Sequence, residues 1–304
     1  MVPARFGDVV TAMVTPFDED GGLDFDGAVA LARWLTEHGS DGLVLAGTTG
    51  EGPVLTDAER LDLWRAVAEA VTVPVIAGTG TNDTAHSVQL TAAAGDTGVD
   101  AVLVVTPYYN RPSQDGLVEH FTAVARATTL PVMLYDIPVR TGRRIAGATV
   151  HRVVANASNV VAVKDAAGDP AGTARLLAHA PEGFEVYSGD DALTLSLMAV
   201  GAVGVVSVAA HWAGTEMKEM VAAFRAGDVD GARAVNARLV ESYDFESTDT
   251  FPNPLPAKAA CRAIGLPAGQ CRPPMGAAPP ELEGEAARII ARLGTIAGVG
   301  GPVG

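Results

Sequence analysis

The sequence predicts an α/β fold, a (β/α)8 TIM barrel followed by a C-terminal helical extension. Short runs rich in β-branched residues recur along the chain, and a helix-length amphipathic segment follows each run. This alternation is typical of parallel βαβ units. Eight runs favour a closed barrel over an open sheet. Their nearly continuous apolar character is expected of strands that are buried on both faces. The eight predicted strands cover residues 9–16, 42–46, 73–78, 101–106, 132–137, 160–164, 184–188 and 203–208.

The segments between the strands have helical periodicity. In the predicted helix 57–71, for example, Leu61, Trp64, Val67 and Ala68 recur at helical spacing. Two other clear helices are predicted over residues 26–38 and 114–128. About ninety residues follow the eighth strand, more than one closing helix requires. We therefore predict a barrel catalytic domain over residues 1–227 and a helical extension over residues 228–304, with Pro-rich stretches at 251–256 and 273–280 separating its helices.

Composition excludes several classes of protein. The formal net charge of −15 disfavours phosphate backbones and anionic membranes, so neither nucleic acid nor a membrane is an expected partner. Cys261 and Cys271 lack the spacing of a zinc or redox motif, which predicts reduced thiols. No export signal is visible, and the apolar passage 197–210 is shorter than the roughly 20 residues that span a bilayer. We expect a cytoplasmic protein.

Lysine is scarce, and one lysine stands in an unusual place. Lys218 lies in a charged helical pattern and Lys258 lies near the start of a predicted helix, whereas Lys164 ends the apolar strand 160–164. Burial lowers the pKa of an ammonium group, which makes a free amine available as a nucleophile toward a carbonyl. The alternative interpretation is a structural ion pair between Lys164 and Asp165 or another acid.

Other polar residues also follow predicted strands, where the active site of such a barrel lies. They include Thr48 and Thr49, a compact Gly-flanked turn suited to a small carboxylate, and Arg140. Three of the five tyrosines, Tyr108, Tyr109 and Tyr135, also lie at strand ends and could transfer protons. Each also has an alternative interpretation. Thr48 and Thr49 could merely connect a strand to a helix, Arg140 could be an ordinary loop cation, and the tyrosines could pack at the rim of the barrel.

Neither a metal nor a cofactor is predicted. The six histidines are scattered without paired spacing, and the glycines at 78 and 80 lack the third glycine of a dinucleotide-binding turn.

Taken in order, these motifs resemble the pyruvate-dependent class I aldolase family, which includes dihydrodipicolinate synthases and N-acetylneuraminate lyases. The resemblance covers the chain from about Phe6 to the C-terminal helices. It is carried by residues 47–51 (Gly-Thr-Thr-Gly-Glu), 106–112, 135–142, Lys164, 188–191 (Ser-Gly-Asp-Asp) and Asn253-Pro254.

The resemblance implies that Lys164 forms a Schiff base with C2 of pyruvate. The pyruvate carboxylate would rest on Thr48 and Thr49, and Gly189 and the carbonyl of Val206 would line the pocket.

The resemblance also implies a proton relay. Tyr135 would transfer the protons of imine formation and would be linked through Thr49 to Tyr109, which in this family reaches the site from a neighbouring subunit. A homodimer, or a homotetramer built as a dimer of dimers, is therefore expected.

The second substrate distinguishes members of the family. Arg140 in the stretch 135–142 implies L-aspartate 4-semialdehyde, whose carboxylate it would pair with, in lysine and diaminopimelate biosynthesis. The alternatives are a sugar-acid aldolase acting on N-acetylneuraminate or 2-keto-3-deoxygluconate, which would not need Arg140, and a catalytically silent ligand-binding barrel.

Two stretches depart from the family pattern. Many synthases are inhibited by lysine through a histidine and a glutamate, but the corresponding positions hold Asp57 and His86, with Asn82 retained. We therefore expect weak or absent inhibition by lysine. The stretch 247–251 has no assignment.

Overall fold

The computed structural model describes residues 4–294 and confirms the barrel. Its eight parallel strands pair in chain order, and the last pairs with the first to close the sheet. The strands are β1 (Val9–Ala12), β2 (Gly42–Leu45), β3 (Val75–Gly78), β4 (Ala101–Val105), β5 (Val132–Asp136), β6 (Val160–Asp165), β7 (Glu185–Ser188) and β8 (Gly204–Ser207).

Helices surround the barrel and form the extension. They are α1 (Phe25–Glu37), α2 (Asp57–Ala70), α3 (Thr84–Ala94), α4 (Gln114–Ala125), α5 (Pro138–Thr141), α6 (Gly147–Asn156), α7 (Pro170–Leu177), α8 (Thr194–Ala199), α9 (Ala210–Arg225), α10 (Val229–Glu246), α11 (Leu255–Ala263) and α12 (Pro280–Leu293). The predicted domain boundary lies at Asp228, whose side chain caps α10, and residues 295–304 of the predicted extension lie outside the described residues.

Helix starts follow from local side-chain chemistry. Thr56 and Glu59 form a reciprocal capping box at the start of α2, and Asp24 accepts a hydrogen bond from the backbone of Gly27 at the start of α1. Such side chains satisfy backbone N–H groups that have no partner within the helix. These caps explain why both helices begin within one residue of the predicted positions.

Two predicted boundaries are wrong for reasons involving proline. The first strand ends at Ala12 rather than at Pro16, because a proline cannot donate to the strand ladder. Helix α11 begins at Leu255, inside the predicted separator 251–256, because proline is tolerated in the first turn of a helix and Pro256 lies there.

Strand alternation separates two apolar layers. On β6, Ala162 belongs to the cluster inside the barrel, and Val163 belongs to the larger cluster between strands and helices. The same alternation on β5 places Met133 inside and Leu134 outside. Lys164 and Tyr135 therefore continue the inner rows of their strands.

Candidate active site

A cavity of about 300 Å³ lies at the carboxyl ends of strands β2 to β5, the end at which TIM barrels carry their active sites. Residues from four strand ends and from the C-terminal extension form its walls. They include Gly47, Thr48, Glu51, Arg60, Gly80, Val105, Tyr108, Tyr135, Ile137, Arg140, Asn253, Pro254 and Met275.

Lys164 and Tyr135 are neighbours on adjacent strands. They are directly paired in the register of β5 and β6, both are buried, and the Lys164 Nζ atom lies 4.4 Å from the centroid of the Tyr135 ring. Tyr135 lines the cavity whereas Lys164 does not, so the Lys164 amine lies behind the tyrosine ring that forms part of the cavity wall. The predicted nucleophile and the phenol predicted to transfer protons are thereby brought together.

The alternative ion pair between Lys164 and Asp165 does not form. Consecutive strand residues face opposite sides, and the Asp165 carboxylate accepts hydrogen bonds from the Ala167 backbone at 2.9 Å and the Thr173 hydroxyl at 2.6 Å. Within residues 4–294, Lys164 forms no ion pair with any acid. The structure therefore does not support the ion-pair interpretation of Lys164.

A second acid, Asp136, lies on the outer face beside Asp165. The two are paired in the strand register. Burial raises the pKa of Asp136 to about 7, against a hydrogen bond from the Ile145 backbone, and the charge of Asp165 raises it further. The acids therefore face the helices, leaving the inner face to Lys164.

Gly189 makes room for the lysine side chain. A Cβ atom at this position would lie 2.9 Å from Cγ and 3.0 Å from Cε of Lys164. Such distances are shorter than van der Waals contact, so only glycine permits this packing. Val206, also predicted to line the pocket, lies on β8 in the cluster inside the barrel.

Thr49 and Arg140 are connected through Asn253, which precedes α11. The Asn253 side-chain amide donates to the Thr49 hydroxyl at 2.9 Å, and Arg140 donates to the Asn253 carbonyl oxygen at 3.1 Å. Thr49 and Asn253 are buried, whereas Arg140 is exposed at the rim of the cavity. The predicted carboxylate turn and the predicted second-substrate arginine thus share one partner.

The Thr48–Thr49 turn ends in a buried ion pair. Glu51 has a positive φ of 55°, and its carboxylate lies 2.7 Å from the ammonium group of Lys258 on α11. Its other oxygen accepts a hydrogen bond from the Arg272 backbone at 2.9 Å. Residues of the C-terminal extension therefore hold the turn from outside the barrel.

Tyr109 does not join the other predicted site residues within one chain. Its side chain is 90% exposed, and its backbone has a positive φ of 71°. Tyr108, in contrast, is half-buried and lines the cavity. The predicted relay from Tyr135 through Thr49 to Tyr109 is therefore not assembled by a single subunit.

The side chains of Asp57 and His86 form a hydrogen bond near the surface. The carboxylate at the first position of α2 lies 2.9 Å from Nε2 of His86 on α3. Asn82 follows β3 and accepts a hydrogen bond through its carbonyl oxygen from Asn110 at 2.7 Å. In the described part of the chain, no group of three or more His, Cys, Asp or Glu side chains could hold a metal.

Sequence reasoning missed two residues near the site. Asn253 was part of a recognised motif but had no role, and Lys258 was placed near a helix start with no indication that it is fully buried. The one available signal for Lys258 was its position in an otherwise apolar segment, residues 254–261. Lys218, in contrast, is half-exposed and paired with Asp41.

Fold and site together define a TIM-barrel protein with a buried lysine–tyrosine pair next to a cavity at the carboxyl ends of its strands. The model of the dihydrodipicolinate synthetase family matches residues 5–293, and the chain belongs to that family.

Relatives match nearly the whole chain. A 4-hydroxy-tetrahydrodipicolinate synthase from Moorella thermoacetica is 51% identical over 96% of this chain and 100% of its own. Two solved structures are dihydrodipicolinate synthases. The one from Bacillus anthracis has a TM-score of 0.90 and 45% identity, covering 94% of this chain and 98% of its own. The one from Cyanidioschyzon merolae, solved with lysine bound, has a TM-score of 0.92 and 39% identity, covering 96% and 99%.

Across residues 4–294, no helix is both long enough and apolar enough to cross a membrane.

Proposed function

We propose that this chain is a lyase that condenses pyruvate with L-aspartate 4-semialdehyde to give 4-hydroxy-tetrahydrodipicolinate, in lysine and diaminopimelate biosynthesis. The observation that carries the proposal is the buried Lys164, without an acidic partner among the described residues, beside Tyr135. The names of the relatives and the family match support the same activity.

The first half of the reaction forms an imine. The Lys164 amine attacks C2 of pyruvate, Tyr135 transfers protons to and from the adduct, and water leaves. The protonated imine then acts as an electron sink that acidifies the pyruvate methyl group. Loss of a methyl proton gives an enamine, which is the carbon nucleophile of the second half.

The second half forms the carbon–carbon bond and releases the enzyme. The enamine attacks the aldehyde carbon of the semialdehyde, and the aldehyde oxygen becomes the hydroxyl group of the product. The amino group of the semialdehyde then attacks C2, and its ring closure displaces the Lys164 amine. The one water molecule that is lost at imine formation balances the atoms of the overall reaction.

We assign substrate binding to residues around Lys164 and Tyr135. Thr48 and Thr49 hold the pyruvate carboxylate through hydroxyl and backbone N–H groups. Gly189, which directly follows β7, and the carbonyl of Val206 on β8 border the pyruvate. No cofactor takes part in this scheme.

Arg140 selects the second substrate. Its guanidinium group lies at the rim of the cavity and is held by the Asn253 carbonyl, where it can pair with the semialdehyde carboxylate. A sugar-acid aldolase would share Lys164, Tyr135 and Thr49 but would have no use for this guanidinium.

The exposure of Tyr109 supports an assembly of subunits. A 90% exposed tyrosine with a constrained backbone is suited to completing the relay in a neighbouring copy. We propose a homodimer as the active unit, with a homotetramer, a dimer of dimers, as the full assembly. We place this enzyme in the cytoplasm.

Trapping of the imine tests the proposal. Borohydride reduction in the presence of pyruvate is expected to leave a stable adduct on the peptide that contains Lys164, detected by mass spectrometry, and Lys164→Arg should remove it. Absence of the adduct in the unmodified protein would contradict the lyase mechanism. A coupled assay with aspartate semialdehyde and, separately, sugar aldehydes then distinguishes the two aldolase activities.

A further inference from the structure

Asn253 has a buried acceptor that nothing in the described structure satisfies. The side-chain amide nitrogen donates to Thr49 and the backbone carbonyl accepts from Arg140, but Oδ1 has no hydrogen-bond partner. The residue is 7% exposed and lines the cavity. An unsatisfied buried acceptor is unfavourable, so its presence at a cavity wall indicates a donor that arrives with a ligand.

The proposed chemistry fixes which way the amide points. If the Thr49 hydroxyl donates its proton to the pyruvate carboxylate, it must accept its other hydrogen bond from Asn253. The amide nitrogen is therefore committed to Thr49, and Oδ1 is directed away from it. The free oxygen belongs to the same residue whose carbonyl holds Arg140.

We propose that Asn253 Oδ1 binds the α-ammonium group of the second substrate, making Asn253 a specificity-determining residue. This inference rests on the proposed function. In an α-amino acid the carboxylate and the ammonium group share one carbon, so a substrate whose carboxylate pairs with Arg140 places its ammonium group near Asn253.

The surrounding charges support this assignment. Glu51 is the one carboxylate among the described residues that line the cavity, and it is already engaged by Lys258 and by the Arg272 backbone. Of the side-chain carboxylate and amide oxygens among the described residues that line the cavity, the neutral Asn253 oxygen is thus the one that remains available. Hydrogen bonds to charged donors are stronger than those between neutral groups, which favours an ammonium group over a hydroxyl as the occupant.

The test compares two aldehydes that differ only in the amino group. The affinity for aspartate semialdehyde is measured as its KM in the coupled assay. The affinity for succinic semialdehyde is measured as its inhibition constant in the same assay. In Asn253→Ala, we expect affinity for aspartate semialdehyde to fall about 10- to 100-fold and affinity for succinic semialdehyde to change less than about threefold.

Asn253→Asp is the matched variant. It keeps an acceptor oxygen but loses the amide donor to Thr49, so it should retain the preference for the amino-bearing aldehyde while pyruvate binds more weakly. Equal losses for both aldehydes in Asn253→Ala, or loss of the preference in Asn253→Asp, would overturn the inference. Failure of the unmodified protein to condense pyruvate with aspartate semialdehyde would instead overturn the proposed function. Far-ultraviolet circular dichroism of each variant establishes that it is folded.

Discussion

At the scale of single residues, the close packing of Gly189 against the Lys164 side chain constrains the proposed site. The missing Cβ of Gly189 leaves the space through which the aliphatic part of the lysine reaches the barrel interior. The proposed attack of Lys164 on C2 of pyruvate depends on that path, because small displacements of a reacting group lower rates steeply.

Gly189→Ala should therefore impair chemistry more than folding. We expect kcat to fall about 100-fold, with slower accumulation of the borohydride-trapped adduct, because the new methyl group must displace Lys164. Gly284→Ala on α12 is the control, since a Cβ there meets nothing within 4 Å and alanine favours a helix. A Gly189→Ala enzyme with kcat within twofold of the original would contradict the argument.

Residues differ in how far the sequence predicts their roles. Lys164 could be recognised because a charged residue at the end of an apolar run is anomalous within its own segment. Asn253 could not, because its partners, Thr49 and Arg140, are 204 and 113 positions away along the chain. A role that depends on such distant contacts becomes visible only when the chain has folded.

At the scale of elements, strand existence was predictable and strand ends were not. Hydrophobic periodicity identified all eight strands, because burial on both faces leaves a local record in the sequence. The ends depend on where neighbouring strands stop offering hydrogen-bond partners. Helix starts were more accurate because a capping side chain such as Thr56 acts on backbone atoms next to it.

Helices α2 and α3 also carry the expected difference in regulation. Asp57 and His86 satisfy each other where lysine-sensitive members carry a histidine and a glutamate. Because the acid stands on α2 and the histidine on α3, α3 no longer offers a carboxylate to the ammonium group of lysine. We expect less than about a twofold loss of rate when lysine is titrated to millimolar concentrations, since exposed charge pairs contribute little binding free energy.

The exchange Asp57→His with His86→Glu provides the comparison. If these two positions govern sensitivity, the double variant should become more sensitive to lysine than the original enzyme. Strong inhibition of the unmodified enzyme would show that the contact between Asp57 and His86 does not prevent lysine from binding.

At the scale of the whole molecule, the proposed site needs residues from two barrels. Tyr109 is exposed on a single subunit although the proposed relay requires it. We expect Tyr109→Phe and Lys164→Ala each to be nearly inactive alone. Subunits of the two variants, unfolded and refolded together in equal amounts, should recover about one quarter of the rate, because half of randomly assorted dimers are hybrids with one intact site.

A second mixture of variants tests whether the recovered activity comes from a tyrosine that one subunit contributes to the site of the other. Tyr135→Phe and Lys164→Ala alter residues that act within the same chain, so their hybrids should regain no activity. Native mass spectrometry identifies the hybrid dimers of Tyr109→Phe and Lys164→Ala. If these hybrids remain inactive, the relay lies within one subunit.

The contacts made by the C-terminal extension also affect when the protein becomes active. Lys258 reaches Glu51, and Asn253 reaches Thr49, from positions that lie more than 40 residues after β8 ends at Ser207. During synthesis on the ribosome, all eight strands emerge before either partner does. A nascent barrel would therefore hold its lysine nucleophile in place while its carboxylate-binding turn still lacked support. Because of this order of synthesis, we expect the proposed site to be completed only when the chain is nearly complete.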